Sequence, residues 1–471
     1  MIRYHGAMVM GHDDTIFALA SAPGRAGIAM LRLSGPGVRE TLDAIVGQVP
    51  APRYAARVRF RDPATGETID DGIALFFPAP HSYTGEDVAE FHIHGGRAIV
   101  AALLEALGRR PHHRLAEAGE FTRRAFENGK LDLTEAEAVA DLVEAETSAQ
   151  RRQALRQLEG ALGRLYEDWR ARLLRALARV EAEIDFPEEG LPPEIWSGVR
   201  REVAALAAEI AAHLADGRRG ERLHDGVSVA IIGAPNVGKS SLLNALARRD
   251  VAITSAIAGT TRDVIEARLD LGGYPVLVAD TAGLRDSDDS IEAEGVRRAR
   301  ARAAAADLRL IVLDASRPQQ PMASGGLVAA LPDSPAGGLA DAAAIVVVNK
   351  IDVMPDANLA WADRVAAEIG AGLALRLSVA TGVGMAELIE RLTAEVAKRI
   401  GAPGAPVITR ARHRTALTRC GEALARFSLA SLPELAVEDL RQAVRALGRI
   451  TGRVDVEDML DIIFLEFCIG K

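Results

Sequence analysis

The segment GAPNVGKS, from Gly233 to Ser240, constrains the fold of this chain more than any other feature. It fits the phosphate-loop pattern G-x-x-x-x-G-K-S/T, and it lies between the strand-like run VSVAII and the helix-like run SLLNALARR, which is the context that such a loop requires. Its glycines let backbone N–H groups turn toward phosphate oxygens, Lys239 brings a positive charge to the outer phosphates, and the Ser240 hydroxyl can ligate magnesium. We therefore predict a nucleotide site at the edge of a parallel sheet.

Three motifs further along the chain indicate which nucleotide the site binds. DTAG follows PVLVA, so Asp280 can hold magnesium through water and the Gly283 amide can sense the terminal phosphate. NKID follows AIVVV, and the Asp352 carboxylate can accept two hydrogen bonds from guanine N–H groups while repelling the unprotonated ring nitrogen of adenine. SVATG, which begins at Ser378, adds a last element, with Val379 in a position where alanine is usual. The set predicts GTP as the nucleotide.

The chain is also too long for one domain. It has 471 residues, and a single hydrophobic core stops growing near ~250 to 300 residues. Short β-like runs mix with helical stretches up to residue 130, helical patterns rich in Ala, Leu, Glu and Arg follow, and apolar strands alternate with helices from Val227 onward. We predict an α+β N-terminal domain over residues 1–130, an inserted α/β P-loop domain over 226–400, and a helical domain built from 131–225 and 401–471.

Composition limits the remaining classes of protein. A formal net charge of -9 argues against a chain that grips nucleic acid along its whole surface, although it leaves room for local basic patches. No apolar run approaches the ~20 residues that a membrane span needs, and the first residues lack the pattern of a signal peptide. The two cysteines, Cys420 and Cys468, cannot form a disulfide framework. We predict a cytoplasmic protein with no membrane segment.

The residue after DTAG bears on catalysis. It is Leu284, where many regulatory GTPases carry the glutamine that positions the attacking water. Unassisted hydrolysis of GTP is slow, and an arginine finger lowers its barrier by roughly 7 kcal/mol, so other groups must replace both parts. One candidate is Asn236 in the phosphate loop, whose side-chain oxygen can hold a monovalent cation in place of the arginine. The other is an acid within LRDSDDSIEAEG, a run that is otherwise most simply a solvated loop.

From Asp14 to Lys471 the chain resembles the tRNA-modification GTPase family called MnmE or TrmE. The most specific marks are AGTTRDV at 258–264, DTAGLR at 280–285, GEFTRRAFENGKLDLTEAEA at 119–138 and the terminal CIGK. The resemblance implies a multidomain fold: an α+β N-terminal domain of the folate-binding type that also dimerises the protein, an α-helical central domain, and an inserted α/β Ras-like P-loop GTPase domain.

The resemblance also implies a function. Members of the family are potassium-activated GTPases that install an aminomethyl or carboxymethylaminomethyl group on the wobble uridine of certain tRNAs. The one-carbon unit comes from formyl- or methylene-tetrahydrofolate, and the homodimer forms a hetero-oligomer with a flavin-dependent partner called MnmG or GidA. The alternative is a ribosome-assembly or RNA-binding switch GTPase, but its usual mark, an appended basic RNA-binding module, is not visible in the sequence. The intact Lys239 and Asp352 count against a scaffold with a degenerate GTPase.

The site residues that the resemblance implies are assigned by matching motif. Glu292 falls at the water-activating glutamate of the family, which singles it out within the acidic loop. Magnesium is assigned to Ser240 and Thr261, and potassium to Asn236 with backbone oxygens of Ser255, Ile257 and Thr260. Ser255 and Ala256 stand where a Thr-Asp pair is usual, but the cation contacts at this loop are largely main-chain, so we expect them to survive. The predicted GTP contacts are Asn236, Val237, Gly238, Lys239, Ser240, Ser241, Ser255, Ala256, Ile257, Ala258, Gly259, Thr260, Thr261, Asp280, Thr281, Ala282, Gly283, Asn349, Lys350, Asp352, Ser378, Val379 and Ala380.

The family pattern assigns four charged residues to the folate carrier. A pterin ring presents an amide edge that a carboxylate can pair with, and the glutamate tail of the carrier is anionic, so it suits arginine and lysine. The four are Arg32, Glu90, Lys130 and Lys471. Without the resemblance each would be an ordinary surface charge. His92 and His94 share one face of an apparent strand, but no third ligand is near in sequence, so we predict a structural role for both.

Cys468 lies three residues from the end of the chain, after the apolar run IIFLEF. One interpretation is a small buried hydrophobe, which is what we predict for Cys420. Three features favour a functional thiol near the folate-bound carbon. They are its position near the end of the chain, the nearby glycine, and the terminal CIGK sequence that marks the family. Such a thiol must ionise, and Lys471 can lower its pKa. The predicted catalytic residues are Glu292, Asn236 and Cys468.

Overall fold

The structure is a computed structural model that describes residues 13–185, 193–249, 266–280, 305–317, 343–354, 359–401, 406–429, 432–454, 457–465 and 467–470. Their contacts divide the chain into two compact units. Unit one contains the described residues within Met1–Ala140, Gln157–Arg200 and Ala423–Lys471, and unit two contains those within Asp141–Arg156 and Arg201–Glu422. The boundaries of the three predicted domains stay a prediction. Among the described helices, none has the length and apolar character needed to cross a bilayer.

Each unit is built on one six-stranded sheet. In unit one the strands are β1 (Thr15–Leu19), β2 (Ala26–Ser34), β3 (Ala56–Arg61), β4 (Thr68–Phe77), β5 (Val88–Gly95) and β6 (His113–Leu115). In unit two they are β7 (Val227–Ile232), β8 (Glu266–Leu271), β9 (Tyr274–Asp280), β10 (Leu308–Asp314), β11 (Ala343–Asn349) and β12 (Leu375–Arg376).

The described helices, in chain order, are α1 (Val38–Val46), α2 (Arg97–Gly108), α3 (Glu120–Glu127), α4 (Leu133–Glu144), α5 (Ser148–Leu158), α6 (Ala161–Asp185), α7 (Pro193–Leu214), α8 (Arg219–Asp225), α9 (Lys239–Ala247), α10 (Ala360–Glu368), α11 (Met385–Ile400), α12 (Ala411–Leu429), α13 (Pro433–Thr451) and α14 (Glu457–Leu465).

The sheet of unit one has the strand order β3-β4-β5-β2-β1-β6 and is antiparallel except for the β1–β6 pair. Alternation along β5 explains its two faces: Ala89, Phe91 and Ile93 are buried in the core with α1 and α2, while Glu90 and His92 point to the other face. The polar side chains of β5 that are candidates for a binding site therefore lie on that second face.

Long helices complete unit one. In α13, buried residues recur at helical spacing, and Pro433 opens the helix at a position where its missing N–H costs nothing. A hydrogen bond of 2.6 Å from the Thr451 hydroxyl to Glu167 joins α13 to α6. Arg123 on α3 pairs with Asp461 on α14 at 2.9 Å. The last helix is thereby tied to α3, which adjoins the N-terminal sheet.

The sheet of unit two has the order β12-β11-β10-β7-β9-β8, and all its neighbours are parallel except the β8–β9 hairpin. Successive residues of β7 alternate between two hydrophobic cores, with Val229 and Ile231 in one and Ala230 and Ile232 in the other. A strand covered on both faces needs a continuous apolar run, which is what VSVAII provides. The multidomain fold predicted from the sequence, with its α/β P-loop sheet, is confirmed.

Candidate functional site

The phosphate loop lies between the end of β7 at Ile232 and the start of α9 at Lys239. A Cβ atom on Gly233 would collide with the Val312 carbonyl oxygen of β10, so only glycine lets the loop lie this close to the sheet. Asn236 has a φ of 64° and Gly238 a φ of 100°. Asn236 is thus held in the left-handed region that most side chains avoid, a strain that is typical of functional loops.

Lys239 is buried, and its ammonium group lies inside the curve of the loop. Its Nζ donates to the carbonyl oxygens of Gly233 at 2.9 Å and Ala234 at 3.1 Å. The same residue opens α9, where backbone N–H groups and the helix dipole favour an anion. A side-chain charge and a helix terminus therefore act together on a phosphate group at this edge of the sheet.

Asn349, at the end of β11, joins the phosphate loop to the loop after β12. The residue is 3% exposed. Its Nδ2 donates to the Val237 carbonyl at 2.8 Å, and its Oδ1 accepts the Val379 backbone N–H at 3.1 Å. Because the contact at residue 379 uses the backbone amide, valine serves there as well as alanine. Asn349 holds two nucleotide loops in register.

Lys350 ties the phosphate loop to the end of β10. It has a φ of 66°, and its Nζ donates at 2.7 Å both to the Asn236 carbonyl and to the Asp314 carboxylate. Burial by itself would raise the pKa of Asp314, but the hydrogen bonds from Lys350 and Ser316 outweigh it and lower that pKa. Sequence reasoning missed Asp314. Its signal was an aspartate at the end of the apolar run LRLIVL, level with Asn349 across the sheet.

Two predicted aspartates have distinct surroundings. Asp280 ends β9, and its backbone pairs with Ile231 of β7, so DTAG begins beside the phosphate loop. Asp352 is exposed, which leaves its carboxylate accessible to a base. The remaining predicted residues that lie outside the described part of the chain are Ser255, Ala256, Ile257, Ala258, Gly259, Thr260, Thr261, Thr281, Ala282, Gly283, Glu292 and Lys471.

A second polar site occupies unit one, where two predicted folate residues meet. Arg32 on β2 and Glu90 on β5 are directly opposite partners in the antiparallel pair. Arg32 donates from Nε at 3.2 Å and from Nη2 at 3.0 Å to Glu90 Oε1. The guanidinium lies 5.5 Å from the ring centre of Tyr83 and 5.9 Å from that of Phe121. Aromatic rings stabilise a cation there and shield it from water.

The loop between β4 and β5 links this pair to Lys130. Lys130 Nζ donates to the Pro80 carbonyl at 3.0 Å, and Tyr83 from the same loop lies against Arg32. His92 Nε2 is 3.6 Å from Glu90 Oε2. His94 is a separate case, because its Nδ1 pairs with Asp70 at 2.9 Å. Among the described residues no group of three His, Cys, Asp or Glu side chains could hold a metal.

The two cysteines differ in their exposure. Cys420 is fully buried, and burial raises the pKa of its thiol to about 12, which makes it inert. The prediction that Cys420 is a small buried hydrophobe is confirmed. Cys468 is exposed, on a tail held by a β-bridge between Ala118 and Ile469. An exposed thiol on a fixed tail can react, so a functional role for Cys468 stays a prediction.

A parallel sheet with a phosphate loop after one strand and an Asn-Lys-x-Asp turn after another defines a P-loop GTPase. Comparison with known proteins agrees. The family model for the MnmE helical domain matches residues 133–468, and the model described as GTP-binding protein TrmE N-terminus matches residues 15–130.

Two relatives that match almost the whole chain identify the family. The tRNA modification GTPase MnmE of Parvibaculum lavamentivorans is 56% identical over 97% of this chain and 100% of that protein. The tRNA modification GTPase MnmE of Rhodospirillum rubrum is 55% identical over 97% of this chain and 99% of that protein. An Era variant of Aquifex aeolicus, crystallised with GDP and AlF4-, is 25% identical over 44% of this chain and 69% of its own, with a TM-score of 0.30. The chain belongs to the MnmE family of tRNA modification GTPases and is a GTP-hydrolysing enzyme.

Proposed function

We propose that this enzyme is activated by potassium and couples GTP hydrolysis to modification of the wobble uridine of tRNA. In this proposal a cytoplasmic homodimer acts with an MnmG-type flavoprotein and adds an aminomethyl or carboxymethylaminomethyl group. Its carbon comes from formyl- or methylene-tetrahydrofolate.

The observation that supports activation by potassium is the geometry of Asn236. Its backbone is fixed at a φ of 64° and its carbonyl is held by Lys350, while its side chain is exposed and makes no hydrogen bond to the described residues. A side-chain amide oxygen next to bound phosphates is a suitable ligand for a hard monovalent cation. A cation bound there would supply the positive charge that an arginine finger gives elsewhere.

The other ligands complete the proposal. Backbone oxygens of Ser255, Ile257 and Thr260 would share the potassium ion, while Ser240 and Thr261 would bind magnesium. Ser240 fits that role because it lies in the first turn of α9, beside Lys239, where the outer phosphates would lie. Glu292 would orient or deprotonate the attacking water.

Steady-state GTP hydrolysis in matched potassium and sodium salts tests the cation. We expect the rate at saturating GTP to be at least about tenfold higher in potassium, equivalent to about 1.4 kcal/mol of barrier. Asn236→Ala should hydrolyse GTP at the same low rate in both salts, and Glu292→Ala should lose most hydrolysis while still binding a GTP analogue. Equal rates for the unaltered enzyme in the two salts would overturn the proposal.

The folate part rests on the Arg32–Glu90 pair. Glu90 uses Oε1 for Arg32, and its Oε2, which lies 3.6 Å from His92 Nε2, would accept from the amide edge of a pterin. The arginine can share its donors with an anionic group. Lys130 and Lys471 would bind the glutamate tail. Calorimetry with 5-formyltetrahydrofolate is the test: we expect binding to the unaltered protein and at least about tenfold weaker binding to Glu90→Gln. Undiminished binding to that variant would refute the assignment of Glu90.

Nucleoside mass spectrometry of tRNA tests the reaction as a whole. Cells that lack this protein should lose the modified wobble uridine and regain it when the gene is restored. Unchanged nucleosides together with abnormal ribosomal subunit profiles would favour the alternative, a ribosome-assembly switch GTPase.

A further inference from the structure

Residues 467–470, called the tail here, contact the N-terminal sheet within unit one. Ile469 forms an antiparallel bridge with Ala118, which immediately precedes α3. Gly470 has a φ of 97°, and a Cβ atom there would lie 2.7 Å from the Leu19 carbonyl oxygen and 2.8 Å from Ala20 Cα. Only glycine combines that backbone conformation with so close an approach. The tail therefore lies directly against the end of β1.

Arg32 contacts this tail as well as Glu90. Its Nε and Nη2 face Glu90, whereas its Nη1 donates to the Gly470 carbonyl at 3.5 Å. The guanidinium also lies within 5.9 Å of the ring centres of Tyr83 and Phe121, and these contacts restrict its movement. A planar guanidinium can serve two acceptors at once in this way, whereas an ammonium is a single point of charge. One side chain thus contacts both the Glu90 carboxylate and the tail.

We propose that Arg32 is a positioning residue that seats the tail and so fixes the place of the Cys468 thiol. This inference rests on the proposed function in one respect: the proposed function is what gives the Cys468 thiol a role in a reaction. It has a direct consequence: a group that binds the Arg32–Glu90 pair shares a side chain with the tail, so carrier binding and thiol placement are linked through Arg32.

A spin label on Cys468 measures directly how tightly the tail is held. Cys420 is buried and its pKa is raised to about 12, so a nitroxide methanethiosulfonate reagent will label Cys468 selectively. In the full-length protein without carrier we expect a spectrum dominated by a slow component. Arg32→Lys and Arg32→Met should at least double the mobile fraction, and Gly470→Ala should do the same without altering Arg32.

Matched controls distinguish release of the tail from unfolding of unit one. Arg57 is exposed in the same sheet and pairs with Asp71 at 3.0 Å, so Arg57→Lys should leave the label slow. Arg32→Met keeps an unbranched apolar side chain at this position and removes only the donors, so it is the variant closest in shape. Thermal unfolding of each variant tests whether unit one remains folded.

The outcomes distinguish this inference from the folate proposal. A slow label in folded Arg32→Lys and Arg32→Met overturns the inference, even if 5-formyltetrahydrofolate binds the unaltered protein. A released tail in those variants supports it, even if calorimetry detects no carrier. Where the carrier does bind, it should change the mobile fraction of the label in the unaltered protein, and no change there would contradict the link through Arg32.

Discussion

At the scale of single residues, side chains of the Asn-Lys-x-Asp turn hold the phosphate loop in place through hydrogen bonds. Lys350 contacts the phosphate loop through Asn236 and contacts β10 through Asp314. Asn349 contacts the phosphate loop through Val237. A mutation in the Asn-Lys-x-Asp turn therefore changes the phosphate loop, even where the altered side chain never touches GTP.

Asp314→Asn tests this through stability and pH. The pKa of Asp314 is lowered in the folded protein, so its contribution is fully present above the unfolded carboxyl pKa and is lost as pH falls through the lower folded value. We expect the variant to lose about 2 kcal/mol at pH 7, because the Lys350 ammonium loses its charged acceptor. Urea unfolding, followed at the transition that a GTP analogue stabilises, measures this.

The acid side of the same experiment gives the control. As pH falls below ~4, the ordinary range of a carboxyl, the difference between Asp314→Asn and the unaltered protein should shrink. A difference that stays constant down to the acid limit would contradict the role of the Asp314 charge.

Asp352→Asn tests recognition of the base. The exposed carboxylate accepts from guanine N–H groups, and an amide would instead donate one hydrogen bond to the 2-oxo group of xanthine. We expect kcat/KM for GTP to fall at least about tenfold while that for xanthosine triphosphate rises, since one hydrogen bond to a charged group is worth about 2 kcal/mol. Unchanged preference between the two nucleotides would show that another group selects the base.

At the scale of elements, the phosphate loop is fixed by how closely it approaches β10. Gly233→Ala would push its Cβ into the Val312 carbonyl oxygen, which belongs to the sheet and cannot rotate away. We expect a loss of about 2 kcal/mol in stability together with weaker binding of a GTP analogue, as for overpacked sites generally. The comparison variant is Gly421→Ala, in the interior of α12 with nothing within 4 Å, which should be stabilising. Equal effects of the two substitutions would contradict the close approach.

The elements also show how far the sequence could predict this molecule. The strands that carry VSVAII and LRLIVLD, the phosphate loop and Asn349 were predictable, because each signal is local to about ten residues of chain. Arg32 and Glu90 are far apart in sequence, and Gly470 is much farther, yet they meet. An apolar period fixes which face of a strand is buried but not which strand lies beside it. The family resemblance supplied the first of these associations, and the tail contact required the structure.

At the scale of the whole molecule, the candidate sites belong to different units. Unit two contains the phosphate loop, Asn349 and Asp352, whereas unit one contains Arg32, Glu90 and the tail. If GTP hydrolysis drives the modification, the two must be linked by conformational states that the nucleotide populates differently. Substitutions in one unit should therefore separate hydrolysis from modification.

Cys468→Ser is the sharpest such substitution. Serine keeps the size of the side chain but forms an anion far less readily than a thiol, so the proposed nucleophile is lost while the tail remains. We expect kcat and KM for GTP to stay within about twofold of the unaltered enzyme, and the modified uridine to disappear in a reconstituted assay with the flavoprotein. Cys420→Ala, which alters a buried thiol of raised pKa, should retain both activities if the protein folds. Normal uridine modification by Cys468→Ser would exclude the thiol from the reaction, and loss of hydrolysis would show that the chain end acts on the GTPase itself.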